Sequence, residues 1–265
     1  DVVVRGDGEE VMEDLCKGIP LEKIPGISFR KGDHIVHNPA RSLGAIKNHL
    51  YPNRSLRRYP YEVELKNIST GVESDMVSAS RGCPYNCTFC ALNLNPLGEK
   101  RNWSGRSPES IVEELAQIKA PLVGFTDEIF THDMDRDERI CDLILDRGIR
   151  KKYIINARLE IARRPDVNRK MELAGFAILL LGIESAQDKT LRSMRKGFNN
   201  AKIREYFDVL RGRPILLHGY FFLVNIGESV AEMKQIIPFA QELGLDSIVL
   251  CILRNNPHSG IDKLV

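Results

Sequence analysis

Ser80-Arg81-Gly82-Cys83-Pro84-Tyr85-Asn86-Cys87-Thr88-Phe89-Cys90 sets three cysteines in a C-x3-C-x2-C spacing, in a loop punctuated by Gly82 and Pro84. A disulfide takes two cysteines, and a common structural zinc site takes four ligands. Three closely spaced thiolates suit an iron–sulfur cube that the chain holds through three of its irons. A four-iron electron carrier ordinarily takes four cysteines. The missing fourth ligand leaves an open coordination position, and open positions are where metal sites do chemistry. The competing reading is a buried cysteine cluster, or a zinc knuckle completed by a distant His or Cys.

Outward from this loop, short apolar strands alternate with amphipathic helices. Met76-Val77-Ser78-Ala79 reads as a short strand delivering the loop. Ser107 as N-cap and Pro108 at the first helical position start a helix with Ile111, Val112, Leu115 and Ile118 on one face. Further strands are expected over 121–126, 153–158, 176–182, 215–224 and 247–253. The helices between them stop by Gly148, Gly175, Gly212 and Gly244. Ser229 and Glu232 make a capping box for one helix bearing Val230, Met233, Ile236, Ile237 and Leu243. Such a pattern implies an α/β fold with a parallel sheet covered on both sides. It does not by itself separate a doubly wound sheet from a barrel. No Gly-rich phosphate loop follows the first strand, which weakens the dinucleotide reading.

The cysteine loop, with the aromatic Phe89 just before its last cysteine, resembles the signature of the radical S-adenosylmethionine (SAM) superfamily. The resemblance covers residues 75–260, most of the chain. It implies a partial (β/α)6 TIM-like barrel with the cluster loop after the first strand. It further implies that Cys83, Cys87 and Cys90 hold a 4Fe-4S cluster whose free iron chelates SAM. One electron then cleaves SAM to methionine and a 5′-deoxyadenosyl radical. Phe89 would back the cluster loop, its main chain meeting the adenine.

In a β/α barrel, chemistry sits at the C-terminal ends of the strands. Asp127 and Glu128 end the second strand, and a carboxylate there suits the SAM ammonium on charge grounds. The alternative is that one of them caps the next helix. Asn156 and Arg158 face the same way at the end of the third strand. The planar fork of Arg158 could pair with the SAM carboxylate, or with Glu160 or Asp166 instead. Leu181-Gly182-Ile183-Glu184-Ser185, followed by Leu191 to Gly197, resembles the family segment that bonds the ribose hydroxyls, which assigns Glu184 that role. A carboxylate ending so apolar a run otherwise needs a partner. His218 reads more readily as a satisfied core histidine. Arg254 to Gly260 resembles a closing loop where substrate contacts could lie.

Residues 1–40 read as a strand at Val2–Val4, a short helix opened by Met12 to Leu15, and a hairpin around Lys31-Gly32-Asp33. Val2–Val4 is expected to be buried. This small α+β head is expected to be the remnant of a preceding domain. Its Gly6-Asp7-Gly8-Glu9 turn, Gly26-Ile27-Ser28-Phe29-Arg30 and Asn38-Pro39 resemble the end of the cobalamin-binding domain in one radical SAM branch. The family's cobalamin-ligating motif does not occur in the sequence, so the resemblance implies cobalamin for the full-length protein. Residues 41–74 are expected to be a linker, and 75–265 the radical SAM core. Arg54-Ser55-Leu56-Arg57-Arg58 is read as a solvated part of that linker.

Composition bounds the rest. The 265 residues carry a net charge of +2, which argues against a dominant nucleic-acid or membrane-surface role. No apolar run reaches the ~18 residues of a spanning helix. The start lacks the features of a signal peptide, so a cytoplasmic setting is expected. Cys16, Cys141 and Cys251 are scattered and expected to be small buried hydrophobes. The resemblance implies an external one-electron donor of the flavodoxin or ferredoxin type. Methylation of an unactivated carbon on an unknown substrate is the leading expectation. The rivals are a radical SAM methylthiotransferase, and a non-catalytic electron carrier or zinc-binding module.

Overall fold

The computed structural model describes residues 1–46, 51–92, 94 and 98–262. At its head, β1 (Val2–Val4), β2 (Ile27–Lys31) and β3 (His34–His37) form an antiparallel sheet in the order β1-β2-β3. Helix α1 (Glu9–Cys16) closes a small core of Val11, Ile24, Ile27 and Phe29. The hairpin pairs Lys31 with His34, as the Gly32 turn predicts. β1 is not buried: Val2 and Val3 are exposed, because the head's core lies beneath β2 and α1.

The main sheet begins earlier than the sequence pattern suggests. β4 (Tyr61–Leu65) and β5 (Ile68–Val77) form an antiparallel hairpin inside the stretch expected to be linker. Lys66 and Asn67 turn it with φ of 51° and 64°, the left-handed pair that a tight hairpin requires. Of the short strand expected at 76–79, Met76 and Val77 are the end of a ten-residue strand, and Ser78 and Ala79 lie beyond it. Ser55, Leu56 and Arg58 are exposed as expected, but Arg54 and Arg57 are half-buried in ion pairs. Arg54 reaches Asp75 at 2.8 Å and Glu114 at 2.7 Å, and Arg57 grips both oxygens of Asp75 at 2.9 Å.

After β5 come β6 (Ser80–Arg81), β7 (Ser104–Gly105), α2 (Pro108–Gln117), β8 (Leu122–Phe125), α3 (Met134–Asp146), β9 (Lys152–Ala157) and α4 (Pro165–Ala174). Then follow β10 (Phe176–Glu184), α5 (Asp188–Ser193), α6 (Asn200–Leu210), β11 (Leu216–Leu223), α7 (Val230–Lys234), α8 (Ile236–Leu243) and β12 (Ser247–Ile252). The sheet order is β12-β11-β10-β9-β8-β5-β4. Every pairing from β5 to β12 is parallel and joins strands that follow each other in the sheet. This is a half-barrel of six parallel strands, the expected partial (β/α)6 fold, with the β4 hairpin at one edge.

Local signals explain the helix ends. The Ser107 hydroxyl accepts from the Ser110 amide, with Pro108 in the first turn of α2. Gly175 and Gly244 close α4 and α8 in the left-handed region. The Ser229–Glu232 capping box is complete in both directions. The single helix expected after it is two, broken at Gln235. Pro238 lacks an amide to continue the hydrogen-bond ladder, and its ring crowds the carbonyl four residues earlier.

Alternate strand residues build the two faces. Val77, Val123, Phe125, Tyr153, Ile155, Leu179, Leu181, Leu217 and Phe221 join the convex, helix-covered core. The opposite phase lines the concave face, which is open rather than covered: Met76, Leu216 and Val249 are exposed there. Helices protect one side of this parallel sheet, and the other is left for a site.

Candidate active site

β6 and β7 pair antiparallel, Ser80 with Gly105 and Arg81 with Ser104, and so close the base of the cysteine loop. The loop then folds over the C-terminal ends of the parallel strands. A cavity of about 440 Å³ lies beneath it. Cys83, Cys87, Cys90, Phe89, Asp127, Glu128, Arg158 and Glu184 all line that cavity. The structure thus brings every site residue singled out in the sequence to one place. The three cysteines are half-buried, and no disulfide joins any cysteine among the described residues.

The two acids after β8 differ. Asp127 is wholly buried. One of its oxygens accepts from the Ala79 amide at 3.0 Å, and the other from the Ser80 hydroxyl. Burial pushes its carboxyl up to about 6, against the pull of those donors. Glu128 accepts from the Gly82 amide at 3.1 Å through one oxygen. Asp127 therefore braces the strand that enters the loop, while Glu128 is fastened, among the described residues, at one oxygen only.

Arg158 follows β9 and packs 3.8 Å over the Tyr85 ring. Its guanidinium donates to Glu160 at 3.1 Å and to the Lys196 carbonyl, and lies 3.8 Å from the Cys87 sulfur. The pair with Glu160 is real, and the same guanidinium faces the cysteine wall. Glu184 ends β10 beyond a bulge at Gly182, with φ of 74°. A bulge re-aims the side chain that follows it. Here the carboxylate meets Lys196 at 3.0 Å, both side chains buried. Gly182 makes room for that turn: a Cβ there would stand 2.6 Å from a Glu184 oxygen.

Lys196 also lines the cavity, as do Asn156, Tyr220 and Cys251. Lys196 lies in the Leu191–Gly197 segment, where the sequence alone gives it no role. Its neighbour Glu184 was the available signal, since a buried carboxylate needs a cation. Asn156 donates to the Asp127 carbonyl at 3.0 Å. Of the scattered cysteines only Cys141 is buried as expected; Cys16 is exposed, and Cys251 is half-buried on the cavity wall. His218 meets the Ser247 hydroxyl at 2.7 Å on the concave face, so it is partnered but not in the core.

Three soft sulfur donors share one cavity wall, and Arg158 stands behind one of them. This donor set fits an iron–sulfur cube, which takes each thiolate on a different iron. Among the described residues, no three His, Cys, Asp or Glu side chains gather as a single metal ion would need. A cube does not require that convergence.

A half-barrel of parallel strands with a three-cysteine loop after its first strand defines a class of radical enzymes. The radical SAM superfamily model matches residues 77–248, and the chain belongs to that family. Membership brings a 4Fe-4S cluster and SAM as cofactors. An uncharacterised methyltransferase of Pyrococcus horikoshii is 28% identical over 254 residues, covering 93% of this chain and 54% of that protein. The anaerobic magnesium-protoporphyrin IX monomethyl ester cyclase of Synechocystis sp. is 28% identical over 229 residues, 82% of this chain and 44% of that one. Among solved structures, the radical SAM methyltransferase TsrM from Kitasatospora setae, with tryptophan substrate and a SAM analogue, aligns with a TM-score of 0.75. Its identity is 16%, over 98% of this chain and 53% of that chain. TsrM has also been solved with cobalamin and a [4Fe-4S] cluster bound. This chain spans about half the length of these relatives.

Proposed function

We propose that this chain is the catalytic core of a cobalamin-dependent radical SAM methyltransferase. The observation that carries the reading is the single cavity shared by Cys83, Cys87, Cys90 and the polar strand ends. Cys83, Cys87 and Cys90 would hold the 4Fe-4S cluster. When bound, cluster and SAM supply one-electron cleavage of SAM to methionine and a 5′-deoxyadenosyl radical.

The chain's own residues bind and orient. Glu128, with one oxygen not tied to the Gly82 amide, accepts from the SAM ammonium, and Asp127 holds the loop that carries the ligands. Arg158 presents its guanidinium to the SAM carboxylate from behind Cys87. Glu184 turns to the ribose hydroxyls, and Phe89 offers its main chain to the adenine. The concave face below carries Leu180, Tyr220 and Phe222 beside the cavity, an apolar floor that excludes water from a reactive radical.

The division into a cobalamin-domain remnant (1–40), a connecting segment and a radical SAM core belongs to the same proposal, with the core beginning at the β4–β5 hairpin rather than at residue 75. So do a cytoplasmic setting and an electron donor of the flavodoxin or ferredoxin type. No helix among the described residues is long and apolar enough to cross a membrane. The similarity to the Synechocystis cyclase favours a second reading, a radical ring closure in place of methyl transfer.

Anaerobic reconstitution with iron and sulfide, then dithionite and SAM, tests the core of the proposal. 5′-Deoxyadenosine should form and should vanish in Cys87→Ala. A full-length protein that holds its cluster and cobalamin but leaves SAM intact would sink it.

A further inference from the structure

The cysteine loop is closed at its base by β6 and β7, but a rigid cube needs its three thiolates held at fixed spacing as well. Such a site keeps its geometry only if a supporting shell locks it. Thr88, between two of the cysteines, is where that support converges. Its amide donates to the Met194 carbonyl at 3.1 Å, and its hydroxyl to the Ser193 carbonyl at 3.0 Å. On its other side, its carbonyl accepts from the Ile261 amide at 2.9 Å. Asn256 donates to the next carbonyl, that of Phe89, at 3.3 Å.

The segment that reaches over is itself compact. The Asp262 carboxylate accepts from the His258 amide at 2.9 Å and from Asn255 at 3.0 Å. Ser259 is buried, its amide bonded to the Asn256 carbonyl at 3.1 Å. Gly260 lies flat on the cysteine loop. A Cβ there would stand 3.0 Å from the Thr88 Cα and carbonyl oxygen. His258 rests on Gly98, so the segment touches the cysteine loop at two separate points.

We propose that residues 255–262 form a clamp that fixes the cysteine loop in its ligand-holding shape, with Gly260 and Asn256 as positioning residues. The role rests on the reading that these cysteines hold the cluster. Gly260→Val drives a branched side chain into the Thr88 backbone and lifts the clamp. Asn256→Ala removes one tie without adding bulk. Arg254→Ala, at an exposed residue just before the clamp, serves as control.

Hydrogen exchange is read over residues 83–92 in the cluster-free protein, and iron loss to a ferrous chelator in the reconstituted one. Gly260→Val should exchange about tenfold faster over 83–92, the factor that one well-made hydrogen bond commands. Asn256→Ala should show about threefold on the same scale. Iron should leave both variants faster than the parent, with β8 to β11 exchanging as before. Faster exchange confined to 255–262, with 83–92 and iron retention unchanged in both variants, would overturn the clamp. A parent protein that takes up no cluster would count against the cofactor reading, while exchange over 83–92 would still decide the clamp.

Discussion

Asp127 and Glu184 are both buried carboxylates at the C-terminal ends of parallel strands, yet they are built for different work. Asp127 has both oxygens bonded to the chain segment that enters the cysteine loop. Glu184 sits on left-handed backbone and meets a lysine that lines the same cavity. The first is a brace whose partners are fixed main chain and a neighbouring hydroxyl. The second is held by a flexible cation, which can follow a ligand or give way to one. The two share a position at a strand end and differ in whether the partner can move.

The largest test of this contrast removes the carboxylate of Glu184. Breaking a buried ion pair from one side costs about 3–5 kcal/mol, because the other charge is stranded. Glu184→Ala should lose that much in urea unfolding, and adding Lys196→Met should restore much of it. No recovery in the double variant would mean that the pair is not the unit described.

Asp127 should show itself through pH. Its folded value of about 6 lies above the ordinary carboxylate value of about 3.9. Between those values the native state keeps a proton that the unfolded chain has lost. Stability should therefore fall as pH rises from about 4 to 6, by about 3 kcal/mol from this group. The slope of the parent minus that of Asp127→Asn isolates it. A difference near zero would show that Asp127 is ionised at little cost.

Smaller effects sharpen the geometry. Gly182→Ala puts a methyl against the Glu184 carboxylate and should cost about 1–3 kcal/mol, as overpacking does. Gly124→Ala meets only the Met76 sulfur and methyl, the far end of a flexible side chain, so thermal unfolding should register less. Asn156→Ala removes the bond to the Asp127 carbonyl and should cost about 1 kcal/mol.

The six parallel strands were legible because long apolar runs with glycine stops between helices leave few other folds. The cysteine loop, Asp127, Glu128, Arg158 and Glu184 were legible as candidates by type and strand position. The division of labour among them was not. It depends on which backbone amide each oxygen meets, and the Ala79 amide lies far from Asp127 in sequence. The β4–β5 hairpin was missed because Tyr61-Glu62-Val63-Glu64-Leu65 carries two glutamates in five residues and its turn, Lys66-Asn67, lacks glycine. Lys196 was missed because a lysine in a basic segment reads as solvated until its carboxylate is found.

The sheet order has a further consequence, for assembly. From β5 to β12, each parallel strand pairs with the one before it in that series, so the half-barrel can grow by short steps along the chain. The ties on the cysteine loop are of another kind: Thr88 meets Ser193 across 105 residues, and Phe89 meets Asn256 across 167. Closing such loops is slow and is rewarded only once the ends are held in place. Pulse-labelled refolding should show the strands protected before residues 83–92. The cysteine loop would then be finished on a wall that already stands, and a cluster held there would be received by a folded barrel rather than built into a folding one.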